Sequence, residues 1–284
     1  RGPAGPGACA YHLLARKACT ATSGRRQREE MSGPTPAGWR QLIPKEHGVW
    51  FMWLVPVALG AYLGGVAAVH ALVAAAALLF HVASSAALDW LRARGRQGEL
   101  ARWAVGLGAA GGICMVPPLL QRPSLLVLGA VAGLIFLANA AFARARLERW
   151  LVNDVLAIAG LQLWGPIAYA SGAGQLGGAA WRLWAFTTLF FVGTAFHVKT
   201  LFRERGNRRF KQLSNAAHLA LLLAPWALGL PQAGLAYLPS ALRAWLTPAG
   251  ARLRPIAAGL IEIANSLVFL VLAAVLLSRT GLGA

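Results

Sequence analysis

"IPKEHGVWFMWLVPVALGAYLGG", residues 43–65, sets Lys45, Glu46 and His47 directly ahead of about eighteen residues without a charge. A helix of that length rises about 27 Å, close to the ~30 Å of hydrocarbon in a bilayer. The rest of the chain repeats the pattern. Of 284 residues, 57% are hydrophobic and 13% charged, against roughly a quarter charged in soluble domains. The apolar residues form continuous runs rather than the alternation of barrel strands. The composition therefore defines an all-α polytopic membrane protein.

Apolar runs between charged or Pro/Gly breaks predict nine spans, at 48–66, 69–90, 102–120, 124–143, 151–170, 183–201, 214–231, 232–247 and 256–277. The eighth is the weakest, because it is short and holds Pro239 and Arg243. Basic residues favour one set of connections: Arg92, Arg94 and Arg96; Arg144, Arg146 and Arg149; Arg203, Arg205, Arg208, Arg209 and Lys211; Arg252 and Arg254. The other side receives Arg122, Arg182 and Arg279. By the positive-inside rule this predicts a cytoplasmic N-terminus in a bacterial inner membrane, with the eighth segment crossing. The net charge of +18 then reflects topology and attraction to anionic lipid headgroups, not nucleic-acid binding.

Residues 1–30 read as a translated leader ahead of Met31, or as a disordered basic tail, and 31–40 as a short cytoplasmic N-terminus. Residues 41–284 form a single transmembrane helical domain. Cys114 is the cysteine left inside a span, so no disulfide framework is expected. Tryptophans cluster near predicted helix ends, as an interfacial belt does. Small residues four apart, Gly60 with Gly64, Gly108 with Gly112 and Gly129 with Gly133, allow close helix packing. The histidines show no zinc-site spacing.

The acidic residues beyond the first thirty, Glu46, Asp89, Glu99, Glu148, Asp154, Glu204 and Glu262, all fall on the cytoplasmic half of this topology. Candidate ligand-binding residues are therefore sought there. Lys199 and Arg203 are four apart, as are Thr200 with Glu204 and Glu204 with Arg208, which would place each pair on one helix face. Lys199 lies within the apolar stretch and is a candidate phosphate ligand or ion-pair partner, with His197 two residues earlier. Arg208, Arg209 and Lys211 read as headgroup anchors. Glu46 caps the first helix dipole or faces inward to pair with Lys199, while Lys45 reaches the headgroups. Asn153 and Asp154 open the fifth helix as caps, and His81 is expected to make an interhelical hydrogen bond. Glu262, with Asn265 one turn on, sits about 10 Å into the last helix. A carboxylate at that depth is a functional candidate that needs a partner or a proton.

"PKEHGVWFMWLVPVALG" together with "HVKTLFRERGNRRF" at 197–210 resembles the YwiC-like family of bacterial membrane proteins. Nine helices with polar loops after the second and sixth also resemble, more distantly, the UbiA-type prenyltransferases. That resemblance implies a UbiA-like helical bundle in which Asp-rich loops hold Mg²⁺ against a diphosphate. Here "SSAALDWLRARG" keeps Asp89 alone, and "KTLFRERGNRRF" keeps Glu204 among arginines. One carboxylate per loop can at most share a single Mg²⁺, and the arginines compete for the same phosphates. The expected function is binding of an isoprenoid or lipid phosphate in a cytoplasm-facing polar cavity. The alternatives are a UbiA-type transferase with altered metal use and a proton-coupled transporter.

Overall fold

The computed structural model describes residues 48–282, and these are helical with no strand. The elements are α1 (Val49–Gly64), α2 (Val69–Arg92), α3 (Gly98–Gln121), α4 (Leu125–Arg144), α5 (Leu151–Gln162), α6 (Trp164–Ala173), α7 (Gly178–Leu201), α8 (Arg208–Ala227), a 3-10 turn (Pro231–Tyr237), α9 (Leu238–Leu246) and α10 (Pro255–Ser278). Each of the nine apolar segments contains helix. Five rods are long and apolar enough to cross a membrane, namely α2, α3, α4, α5 with α6 as one rod, and α10, and α1 is a shorter apolar helix. The molecule is an all-α membrane protein.

A proline explains the interruption of the fifth span at Leu163. Pro166 has no N–H to give the carbonyl of Gln162, four residues earlier, so α5 stops there and α6 restarts at Trp164. In α1, Pro56 likewise leaves the carbonyl of Met52 without its helical donor. The buried Gln162 side chain supplies it, its Nε2 donating to Met52 O at 2.7 Å. An apolar interior offers no water for such a carbonyl, so one amide ties α1 to the broken rod.

The same two rods pack most closely. A Cβ on Gly60 would strike the carbonyl oxygen of Gly165, and one on Gly64 that of Tyr169. The expected close packing at Gly60 and Gly64 is thus present. At Gly112, Gly129 and Gly133 nothing described lies within 4 Å, because α3 and α4 turn one face outward. Val105, Ile113, Leu120, Leu126 and Leu134 are exposed there, as on a surface that meets lipid chains. His70 at the start of α2 bonds Ala168 O of α6 through Nε2 at 2.9 Å. The interhelical bond expected of His81 is therefore made by His70, while His81 lies edge-on to Trp50 at 5.9 Å.

The other half of the core is aromatic. Phe190 of α7 stacks on Phe269 of α10 at 3.6 Å, and Tyr237 approaches both edge-on. The Tyr237 hydroxyl donates to Phe186 O at 2.5 Å. These contacts hold the 3-10 turn inside the bundle and set the position of α9, which follows it.

The loops after α2 and α4 contain the two described residues other than glycine with positive φ, Arg94 at 54° and Arg146 at 57°. That conformation costs an L-residue about 1 to 2 kcal/mol.

Candidate functional site

Polar residues recur at helical spacing on the inward faces of four elements. They are Thr194 and His197 on α7; Lys211, Ser214 and His218 on α8; Ser240 and Arg243 on α9; and Glu262, Asn265 and Ser266 on α10. Apart from Arg243, which is partly buried, all are buried. They lie at one end of the bundle. His197 is near the last turn of α7, Lys211 in the first turn of α8, Arg243 near the end of α9, and Glu262 seven residues after Pro255.

The centre of the group is an ion pair between the Arg243 guanidinium and the Glu262 carboxylate, with side chains 12% and 6% exposed. Thr194 lies within reach of the same carboxylate. Arg243 Nε and Nη2 and Glu262 Oε2 have no partner among the described residues. Lys211 adds a second buried cation, its Nζ donating to the carbonyl of Ala244. That carbonyl is one of the last of α9, which the helix itself cannot satisfy. Beside it, Trp245 Nε1 donates to Asn215 O at 3.1 Å. Asn265 Nδ2 donates to Ser240 Oγ at 2.9 Å and fixes α9 against α10.

Two histidines complete the group. His218 Nδ1 donates to Ser214 O at 2.7 Å, which leaves Nε2 as an acceptor, or as a donor once protonated. His197 is 1% exposed and lies close to Arg243, Lys211 and His218. His218 Nε2 and His197 Nδ1 are unpartnered among the described residues. Among the described residues, with neutral imidazoles, the cluster holds two cations and one carboxylate. Its excess charge is positive and several of its donors are unengaged.

A shallower pair lies at the same end. Lys199 Nζ meets Asp154 Oδ2 at 2.5 Å, with side chains 12% and 24% exposed. Lys199 and Arg203 both reach the carbonyl of Arg149, at 3.4 and 3.5 Å. Asp154 therefore joins α5 to α7 and does not cap α5. Asn153 donates to Glu148 O at 3.1 Å. The proposed partner of Lys199, Glu46, lies outside the described residues with Lys45 and His47. Gly48, the first described residue, packs beside Glu262, with a Cβ position 3.7 Å from the glutamate Cβ.

The expected helix-face pairs beyond Lys199 do not form. α7 ends at Leu201, the chain turns through Gly206 at φ 81°, and Asn207 caps α8 by accepting from Phe210 N at 3.1 Å. Glu204 instead accepts from Asn207 at 2.7 Å, and Asp89 pairs with Arg92 at 2.5 Å. These two carboxylates, the candidate Mg²⁺ ligands, are each engaged with a neighbour three residues away. Among the described residues no three His, Cys, Asp or Glu side chains come together as metal ligands.

Lys211, read from the sequence as an anchor with Arg208 and Arg209, is buried, whereas its two neighbours are exposed. The Asn207 cap sets that phase. Arg243, Ser214, Ser240 and Thr194 carried no sequence assignment, although polar residues at spacings of three and four within apolar helices are the signal for such a group.

An all-α membrane bundle with a buried ionic cluster at one end is the class this geometry defines. The chain belongs to the YwiC-like family. The family model described as "YwiC-like protein" matches residues 43–169. The chain is 33% identical over 244 residues to "Uncharacterized protein YwiC" of Bacillus subtilis (strain 168), covering 84% of this chain and 100% of that one. It is 30% identical over 233 residues to an "Uncharacterized protein" of Haemophilus influenzae, covering 81% and 96%. No solved structure matches.

Proposed function

We propose that the protein binds an anionic amphiphile, an isoprenoid or lipid phosphate, with its phosphate at the cluster around Arg243. The observation that carries this reading is the excess of buried cation. Among the described residues the group holds Arg243, Lys211 and one carboxylate, which pairs with Arg243, and Arg243 Nε and Nη2 are unengaged. Unmatched positive charge in a low-dielectric interior is costly, and a phosphate offers both countercharge and acceptors. The positive-inside rule puts this end in the cytoplasm, with nine crossings and the N-terminus inside. Lys199, Asp154 and Arg203 then stand at the mouth.

The reading carries the distant resemblance to UbiA-type enzymes over to a shared taste for isoprenoid phosphates, without their Asp-rich metal loops. Purification in mild detergent followed by mass spectrometry of bound lipids tests it. A stoichiometric phosphate-bearing lipid is expected, and a lipid profile equal to the bulk membrane contradicts it. A proton-coupled transporter is the second reading, favoured by His197 and His218 beside a buried carboxylate. It predicts that Glu262→Gln abolishes proton uptake coupled to substrate in vesicles, whereas a binder without transport shows no such uptake in the unmodified protein.

A further inference from the structure

α2 and α4 end alike. α2 closes through Arg92-Ala93-Arg94 and α4 through Arg144-Ala145-Arg146, and in each the second arginine takes the left-handed conformation. The hydrogen bonds match as well. Arg94 N donates to Leu91 O at 3.0 Å and Gly95 N to Trp90 O at 3.0 Å; Arg146 N donates to Ala143 O at 3.2 Å and Leu147 N to Phe142 O at 2.9 Å. This is the helix ending in which glycine is the favoured residue at the left-handed position. Both copies place arginine there instead.

The two ends line one cleft of about 270 Å³, formed by Leu91, Arg92, Arg94, Ala143, Arg144 and Arg146. A second cleft, of about 380 Å³, shares Arg92, Arg94 and Arg146 and adds Arg96. Asp89 answers the charge of Arg92. Arg94, Arg144 and Arg146 enter no ion pair among the described residues. Topology asks only for positive charge in these loops, at any position. It does not ask for arginine at two strained positions that aim into the same cleft. Strain kept at paired positions points to a function that needs those side chains there.

We infer that this cleft is a phosphate site, separate from the Arg243 cluster, in which guanidinium groups from two helix ends clamp a multiply charged phosphate group. Guanidinium forks match phosphate oxygens in pairs, so groups converging from two sides suit a diphosphate or a phosphomonoester headgroup. The site does not rest on the reading given for the inner cluster. The phosphate belongs to a free molecule or to a lipid.

The test uses the full chain in detergent micelles, with inorganic pyrophosphate as one probe and phosphatidic acid in mixed micelles as the other, against a phosphatidylcholine blank. Binding is followed by calorimetry and by the shift in Tm. The double variant Arg94→Gly with Arg146→Gly relieves the strain while removing two charges. It is expected to keep or raise the Tm of the unliganded protein and to weaken binding by at least about tenfold. Arg208→Gln with Arg209→Gln removes the same charge elsewhere on this side and is expected to change binding by less than about twofold. A response to pyrophosphate identifies a free phosphate compound as ligand class, and a response to phosphatidic acid alone identifies a headgroup. Binding of neither probe, or equal loss in the two double variants, overturns the site.

Discussion

The ion pairs Arg243–Glu262 and Arg92–Asp89 use the same chemical groups at the same end of the molecule, yet they differ in every physical respect. Asp89 and Arg92 are three residues apart on one helix, with side chains 49% and 43% exposed. Water screens each charge whether or not the other is present, so the pair contributes little. Arg243 and Glu262 come from different helices and are nearly enclosed. Each is tolerated in the bundle because the other is there. The surface pair is an ornament of a helix end, while the buried one specifies how α9 meets α10.

The largest expected effect follows from this contrast. Arg243→Met leaves Glu262 without its ion-pair partner in the interior and should cost about 3 to 5 kcal/mol in detergent unfolding. Adding Glu262→Leu should restore most of the loss. If the double variant is no more stable than the single one, the two side chains do not depend on each other.

Gln162 provides a neutral comparison. Gln162→Leu strips the carbonyl of Met52 of its donor and should cost about 1 to 3 kcal/mol. Pro56→Ala restores the missing backbone N–H and should suppress that loss. The same penalty in the Pro56→Ala background would mean that the amide stabilises something other than the α1 carbonyl.

Lys199 and Asp154 lie between the extremes in exposure. Lys199→Met and Asp154→Asn should each cost on the order of 1 kcal/mol, with a coupling of at least about 0.5 kcal/mol in a double-mutant cycle. Additive effects would return Lys199 to a free anchor and reopen its pairing with Glu46. The smallest change is expected for Asp89→Asn, within about 0.5 kcal/mol. A larger loss would make the α2 end part of the stabilising structure and erase the contrast.

The fold was legible where hydropathy decides it. Every predicted span contains helix, because an apolar run of that length has few other ways to satisfy its backbone in a membrane. The need for a partner at Glu262 was legible too, since an acid at that depth is costly alone. The partner was not, because Arg243 stood in the least helical-looking segment, beside Pro239, and looked like an interruption. Only the 3-10 turn through Tyr237 brings that segment inside. Lys211 was hidden for another reason. In the run Arg208-Arg209-Phe210-Lys211 every cation looks alike, and the helix phase set by Asn207 decides which one turns inward. The break at Leu163 was readable in Pro166, yet the bond from Gln162 to Met52 required knowing that α1 lies alongside.

The central claim is that the inner cluster carries one more cation than the described residues can pair and uses it to hold a phosphate. Comparing the lipids retained by Lys211→Met and by Arg209→Met tests it most directly, because the two variants lose the same charge two residues apart, one buried and one exposed. Mass spectrometry of the purified variants should show the bound phosphate lipid lost from Lys211→Met and kept by Arg209→Met. Retention in both, or equal loss from both, would contradict a defined internal site.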